Sequence, residues 1–328
     1  MTSLRGRTAA VTLGVAAAVV ALLAVASLAV GAATLDWGAV LTDPEQLRLV
    51  TVSRIPRTAA VILAGAAMAV AGLIMQALTR NRYVAPTTAG TIDAAGLGVL
   101  VAVLLFAGAS VMAKIGIALV FAFAGTALFL LLVERLRLRE MIMVPLLGLV
   151  LGGIFRATTE MIAYRANLTQ TVQVWMNGDF SGVIEGRYET LWLAGAAAAA
   201  AYLMAHHLTA AGMGREIATS VGLPYRATLA AGLGVASFAT AVVVVTVGAI
   251  PFLGLIVPNV VTLLVGDNLR RALPVTALGG AALVLACDLI GRLVIHPYEI
   301  PVSSVVGVLG AGVLLALILR KGNRFARA

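Results

Sequence analysis

Two Gly/Pro-interrupted apolar segments, one in each half of the chain, constrain the fold more than any other feature. The first runs from Val84 through Pro86-Thr87-Thr88-Ala89-Gly90 to Gly98, and the second from Gly248 through Pro251-Phe252-Leu253-Gly254 to Pro258-Asn259. Pro86 and Pro258 each lie about 30 residues after the start of an apolar run, near Arg57 and Thr228 respectively. Backbone broken at membrane depth survives only inside protein or along a water-filled cavity, because lipid offers free N–H and C=O groups no partner. Corresponding breaks in two halves mark a transporter built from internal repeats, with its pathway near the repeat interface. The candidate pathway residues are therefore Pro86, Thr87, Thr88 and Gly90 in the first break, and Pro251, Gly254, Pro258 and Asn259 in the second.

Composition leaves lipid as the solvent for most of the surface. Of 328 residues 61% are hydrophobic and only 11% charged, against ~25% charged in soluble domains. The 34 glycines suit helices that pack closely without a hydrophobic drive. A net charge of +9 does not signal nucleic acid here, since the arginines sit at the ends of apolar runs and form no stripe interleaved with aromatics. Cys287 stands alone, His206 and His207 are adjacent and share no helix face, and His296 is remote. Neither a disulfide framework nor a Cys/His metal site is expected.

A span needs ~20 apolar residues. Ten are expected: Ala9–Ala33, Thr58–Leu78, two within Ala94–Val133 turning near Gly108-Ala109-Ser110, Met141–Ala163, Thr190–Leu208, two within Thr228–Val265 turning at the Gly248–Gly254 break, Pro274–Leu293 and Val302–Leu319. The first is longer than the ~7–15 apolar residues of a signal peptide and reads as a retained span. With the N-terminus inside, the inner ends hold about twice as many Lys and Arg as the outer ends, Arg5, Arg7, Arg80, Arg82, Arg135, Arg137, Arg139, Arg270, Arg271 and Arg327 among them. Both termini are therefore expected in the cytoplasm. Spans two to five and seven to ten then carry the breaks at matching places in opposite directions, an inverted repeat. The fold expected is all-α and polytopic in the membrane, one domain over residues 1–328, with 9–33 as first span, 57–163 as repeat one and 228–320 as repeat two.

No G-x-x-x-x-G-K-[ST] loop occurs, so the chain does not hydrolyse ATP by that route. Charges inside the apolar runs are few: Arg156, Glu160 and Asp288. Arg156 with Glu160, and Asp288 with Arg292, stand four residues apart and can meet on one helix face. Self-compensation near the outer helix ends is favoured for them over a proton or ion relay. Energy then comes from a partner, and the loop His206–Arg226, the largest cytoplasmic segment, is the place for it. Within that segment Ala211–Pro224 reads as a short helix, stopped by Gly222-Leu223-Pro224, that could lie in an ATPase groove.

The ordered motifs Arg54-Ile55-Pro56-Arg57, Gly72-Leu73-Ile74-Met75-Gln76, Pro86-Thr87-Thr88-Ala89-Gly90-Thr91, Gly254-Leu255-Ile256-Val257-Pro258-Asn259, Gly266-Asp267-Asn268, Leu273-Pro274 and Pro297-Tyr298-Glu299-Ile300-Pro301 resemble permeases of the iron-siderophore and cobalamin ABC importers. The resemblance covers the chain from about Arg54 onward. It implies a single ten-span permease domain without catalytic residues, cofactor or metal of its own, in the bacterial plasma membrane. Two ATPases that bind ATP and Mg would sit on the cytoplasmic side, and an extracytoplasmic binding protein would dock outside. By resemblance Arg54, Arg57 and Arg292 pair with glutamates of that protein, where the rigid guanidinium fork fits a carboxylate. The coupling segment maps onto Gly214, Arg215, Glu216, Gly222 and Leu223; many relatives carry two acidic residues after the glycine, whereas this chain has Arg215-Glu216. Many relatives also have His where Asn259 stands. The wording of the motifs looks most like the catecholate-type ferric-siderophore importers, where two different permeases often pair. A heterodimer is expected, with a homodimer the alternative. The rival readings are a cobalamin or haem permease of the same family and a proton-coupled secondary carrier using Glu160 or Asp288. An intramembrane enzyme would need a nucleophile–base or paired-acid constellation at midplane, and none is found.

Overall fold

Apolar runs form helices until a residue with special backbone needs ends them. In the computed structural model the described residues are 2–31, 38, 40, 42–106, 108, 110–136 and 142–325. The end of the first expected span at Ala33, Ala109 of the expected turn, Arg137, Arg139, Met141 and Arg327 lie outside them. Helix α1 (Thr2–Ala29) is followed by α2 (Pro44–Leu49). Asp43 caps α2 by accepting the Glu45 N–H at 2.9 Å, and Pro44 sits in the first turn, where its missing N–H costs nothing. A π-helical turn (Val50–Arg54) leads into α3 (Ile55–Thr79), which Arg80 ends in the left-handed conformation at φ 51°. Next come α4 (Thr91–Leu105), α5 (Val111–Arg135), α6 (Met143–Arg165), the short α7 (Thr169–Met176), α8 (Leu191–Leu203), α9 (Ala205–Gly212) and α10 (Arg215–Ser220). The chain closes with α11 (Tyr225–Val247), α12 (Leu253–Val265), α13 (Leu269–Leu293) and α14 (Val302–Phe325).

Six helices are long and apolar enough to cross a membrane, and α8 with α9, bent by 66°, makes a seventh if counted as one span. The remaining apolar helices, α4, α12 and Val302–Val313 of α14, are shorter, at 10–17 residues. Each of the ten expected segments falls on one of these helices or bent pairs. One segment needs correction. His206–Arg226 is not mainly a loop, because α9 continues to Gly212 with Ala205, Leu208 and Ala211 buried against α3. The short helix begins only at Arg215, not at Ala211.

Helix α3 is the centre of the bundle and packs on α8, α11, α12 and α13. Its sequence of small residues permits this. A methyl group on Gly65 would lie 2.7 Å from the Gly280 carbonyl of α13, and one on Gly72 would overlap the Gly254 carbonyl of α12. Packing partners recur in the two halves: α3 meets α13 as α11 meets α5, α3 meets α12 as α11 meets α4, and α4 meets α5 and α6 as α12 meets α13 and α14. Exposed Val11, Leu22, Val120, Leu131, Leu149 and Ile154 leave α1, α5 and α6 with apolar outer faces suited to lipid.

Candidate functional site

The two breaks in the backbone meet each other. Pro258 has no N–H, so the Gly254 carbonyl one turn earlier in α12 loses its helical donor. Gln76 of α3 replaces it: its Nε2 donates to the Gly254 carbonyl at 3.4 Å and the Leu255 carbonyl at 3.3 Å. Asn259 Nδ2 donates to Leu255 O and to Arg82 O, both at 2.7 Å, which ties α12 to the residues entering the first break. In that break the Thr88 hydroxyl donates to Tyr83 O and accepts the Ala85 N–H, each at 2.9 Å. Gly90, at φ 74°, then opens α4. A Cβ on Gly254 would sit 3.3 Å from Pro86 Cδ, so the breaks touch directly. The second break has its own support. Gly248 (φ 88°) ends α11, Ala249 bridges to Asn177 after α7, and Phe252 starts α12 at φ 58°, a conformation rare outside glycine.

Beside this junction lies a cavity of about 390 Å³. Thr87, Thr88 and Pro251 of the expected pathway residues line it, together with Phe252, Asp93, Arg156, Glu160 and, from α7, Val172, Gln173 and Met176. Pro86, Gly90, Gly254, Pro258 and Asn259 do not line it; they form the scaffold behind it. The expected Arg156–Glu160 pair is absent. Arg156 instead donates from Nε at 3.1 Å and Nη2 at 2.9 Å to Asp93 Oδ1, because Gly152 leaves the space that the Asp93 carboxylate needs. Asp93 is 8% exposed and Arg156 68%. The Thr87 hydroxyl oxygen is buried without a hydrogen-bond partner among the described residues.

The second expected pair, Asp288 with Arg292, does form, inside a larger cluster at one end of the bundle. Asp288 is fully buried and also accepts from Arg57 Nη2 at 2.8 Å, while Arg57 Nη1 reaches Glu299 Oε2 at 2.8 Å. Arg292 donates to Ser27 Oγ at 2.7 Å and to the carbonyls of Ser27 and Val30. Arg54 donates to the carbonyls of Leu28 and Ala29 at 2.6 and 2.8 Å. The two guanidinium groups thus occupy carbonyls that the end of α1 leaves without helical donors, at the negative pole of its dipole. Of the three arginines expected at a docking surface, Arg54 and Arg292, 6% and 5% exposed, face inward, while Arg57, 12% exposed, bonds to the partly exposed Glu299.

At the opposite end α10 stands between two glycines that only positive φ can serve, Gly214 at 110° and Gly222 at 79°. Leu223 N–H bonds to Ala218 O at 2.9 Å and Gly222 N–H to Thr219 O at 3.0 Å, which closes the helix with paired carbonyls. Arg215 and Glu216 are exposed in its first turn, and Ile217 and Val221 present apolar side chains to the outside.

A broken-helix junction beside a largely apolar cavity that carries Asp93, Arg156 and Glu160 on its wall is transporter architecture, and the comparisons agree. Residues 18–320 match the FecCD transport family. The chain belongs to that family. It is 46% identical over 269 residues to the petrobactin import system permease protein YclN of Bacillus subtilis, covering 82% of this chain and 85% of that one. It is 39% identical over 299 residues to the ferric-anguibactin transport system permease protein FatD of Vibrio anguillarum, covering 91% and 95%. Among solved structures, an inward-facing metal-chelate type ABC transporter matches with a TM-score of 0.80 at 24% identity, over 94% of this chain and 98% of that one. That likeness concerns the fold.

Sequence reasoning missed Asp93, Gln76, Glu299 and α7. Asp93 was legible as a carboxylate three residues after Gly90, at the start of an apolar run. Gln76 and Glu299 stand in motifs quoted above, but their roles are recognisable only from tertiary contacts.

Proposed function

We propose that this FecCD-family chain is the permease subunit of an ATP-driven ABC importer for a ferric siderophore delivered by an extracytoplasmic binding protein. The observation that carries the reading is the convergence of both backbone breaks on one cavity with charged residues on its wall, in a chain closely similar to the petrobactin and ferric-anguibactin permeases. A pathway through broken helices can rearrange without leaving backbone groups in lipid. We read the recurring packing of α3–α6 and α11–α14 as the inverted repeats, with both termini in the cytoplasm. Two ATPases would dock at that face, where α10 presents Ile217 and Val221 beside Arg215 and Glu216. Motion would pass through Gly214, Gly222 and Leu223 into α9 and α11. ATP and Mg would be held by the ATPases, and this chain would supply no cofactor site. The second permease would be a different chain.

Docking of the binding protein would use Arg57 first. Its partner Glu299 is 23% exposed and can exchange for an incoming carboxylate, while Arg54 and Arg292 hold the frame. Mild-detergent purification of the tagged chain from its native membrane, followed by mass spectrometry, tests the assembly. An ATPase and a second permease at stoichiometric levels are expected. Repeated recovery of folded chain without ATPase would favour a proton-coupled carrier.

A further inference from the structure

Arg156 lies in the middle of α6 with its side chain 68% exposed. Hydrocarbon is a costly place for such a group, so it faces the cavity it lines. Asp93 takes its Nε and Nη2, which leaves Nη1 without a partner among the described residues. One turn further on the same helix face, Glu160 presents a carboxylate that no described residue bonds. Thr87 adds a buried hydroxyl without a partner among the described residues, and Met176 and Phe252 supply apolar walls. The charges of Asp93 and Arg156 offset each other, so the cavity offers one spare cationic edge and one uncompensated carboxylate. A plain polyanion would be repelled by Glu160. A ligand with anionic oxygens and a protonated amine would satisfy both groups.

We propose that Arg156 and Glu160 form a two-point substrate site, Arg156 Nη1 donating to an anionic oxygen of an iron chelate and Glu160 accepting from a protonated amine of the same molecule. Asp93 is then a positioning residue that aims Arg156. The proposal rests on the siderophore reading and narrows its substrate class to amine-bearing chelates.

The test is uptake of radioactive iron by cells carrying the complete importer, given a matched pair of ferric chelates. Both have the same catecholate and carboxylate oxygens; one carries a secondary amine in its arm and the other a methylene at that place. The binding protein is common to all strains, so the ratio between permease variants isolates the cavity. Glu160→Gln is expected to lower uptake of the amine chelate about tenfold, the size of one hydrogen bond to a charged group, and to leave the methylene chelate unchanged. Glu160→Asp should recover part of the preference, and Arg156→Lys should lower both uptakes several-fold. Membrane abundance of each tagged variant controls for folding. An unchanged ratio in Glu160→Gln would overturn the proposal. So would loss of permease–permease association in that variant, which would assign Glu160 to the subunit contact. Wild-type cells that import neither chelate would instead overturn the siderophore reading on which the proposal rests.

Discussion

The charged cluster at the end of α1 and the one in the cavity use the same residue types and differ in completeness. Around Asp288 the carboxylate is shared by Arg57 and Arg292, and Arg292 and Arg54 donate onward to the last carbonyls of α1. Around Asp93 a single arginine is bound through two nitrogens, and neighbouring Glu160 has no partner among the described residues. The first cluster joins α1, α3 and α13, and of its buried side-chain polar atoms only Arg292 Nε lacks a partner among the described residues. The second joins only α4 and α6 and leaves donors and acceptors facing open space. Burial explains why each state is tolerated. A buried charge must be paired and hydrogen-bonded, whereas a group at a wet cavity can keep a free edge.

Breaking the closed cluster should have the largest effect. Asp288→Ala leaves two buried guanidinium groups without their shared carboxylate and should cost about 3–5 kcal/mol, seen as a large fall in thermal midpoint in detergent and in membrane abundance. Asp93→Ala should cost less, about 1–3 kcal/mol, because water can reach the released Arg156. Near-equal losses in the two variants would erase the distinction between the clusters. Glu299→Gln sharpens it further: its pair with Arg57 is partly exposed, so stability should change by no more than about 1 kcal/mol. The same variant should alter the affinity of the external binding protein at low salt, where exposed charge pairs count most. Glu160→Gln should change stability least, by about 0.5 kcal/mol or less, while still changing transport.

Much of this was legible in the sequence because lipid makes hydropathy and Gly/Pro placement nearly sufficient to locate helices. The breaks around Pro86 and Gly248–Pro251 and the glycine that stops α10 were readable in this way, whereas Gly214, read as part of the short helix, precedes it, and Pro258 lies inside α12. The details were less accessible. Spacing of four residues suggested an Arg156–Glu160 pair, but Gly152 lets Asp93 approach from α4, and that contact lies 63 residues away in the chain. The arginines expected at a docking surface do stand near helix ends, yet the carbonyls at the end of α1 draw Arg54 and Arg292 inward. Helix α7 has only eight residues, too few for apolar periodicity to announce it. Helix α2 did have a readable signal in Asp43-Pro44, a cap followed by a first-turn proline.

The most direct test of the account is transport by the purified permease–ATPase complex in liposomes, with the binding protein and a radioactive ferric siderophore added on the extracytoplasmic face and no ion gradient present. Uptake that requires ATP and survives a protonophore is predicted. Uptake that ignores ATP and collapses with the proton gradient would contradict the account and assign the cavity, with Glu160, to a secondary carrier.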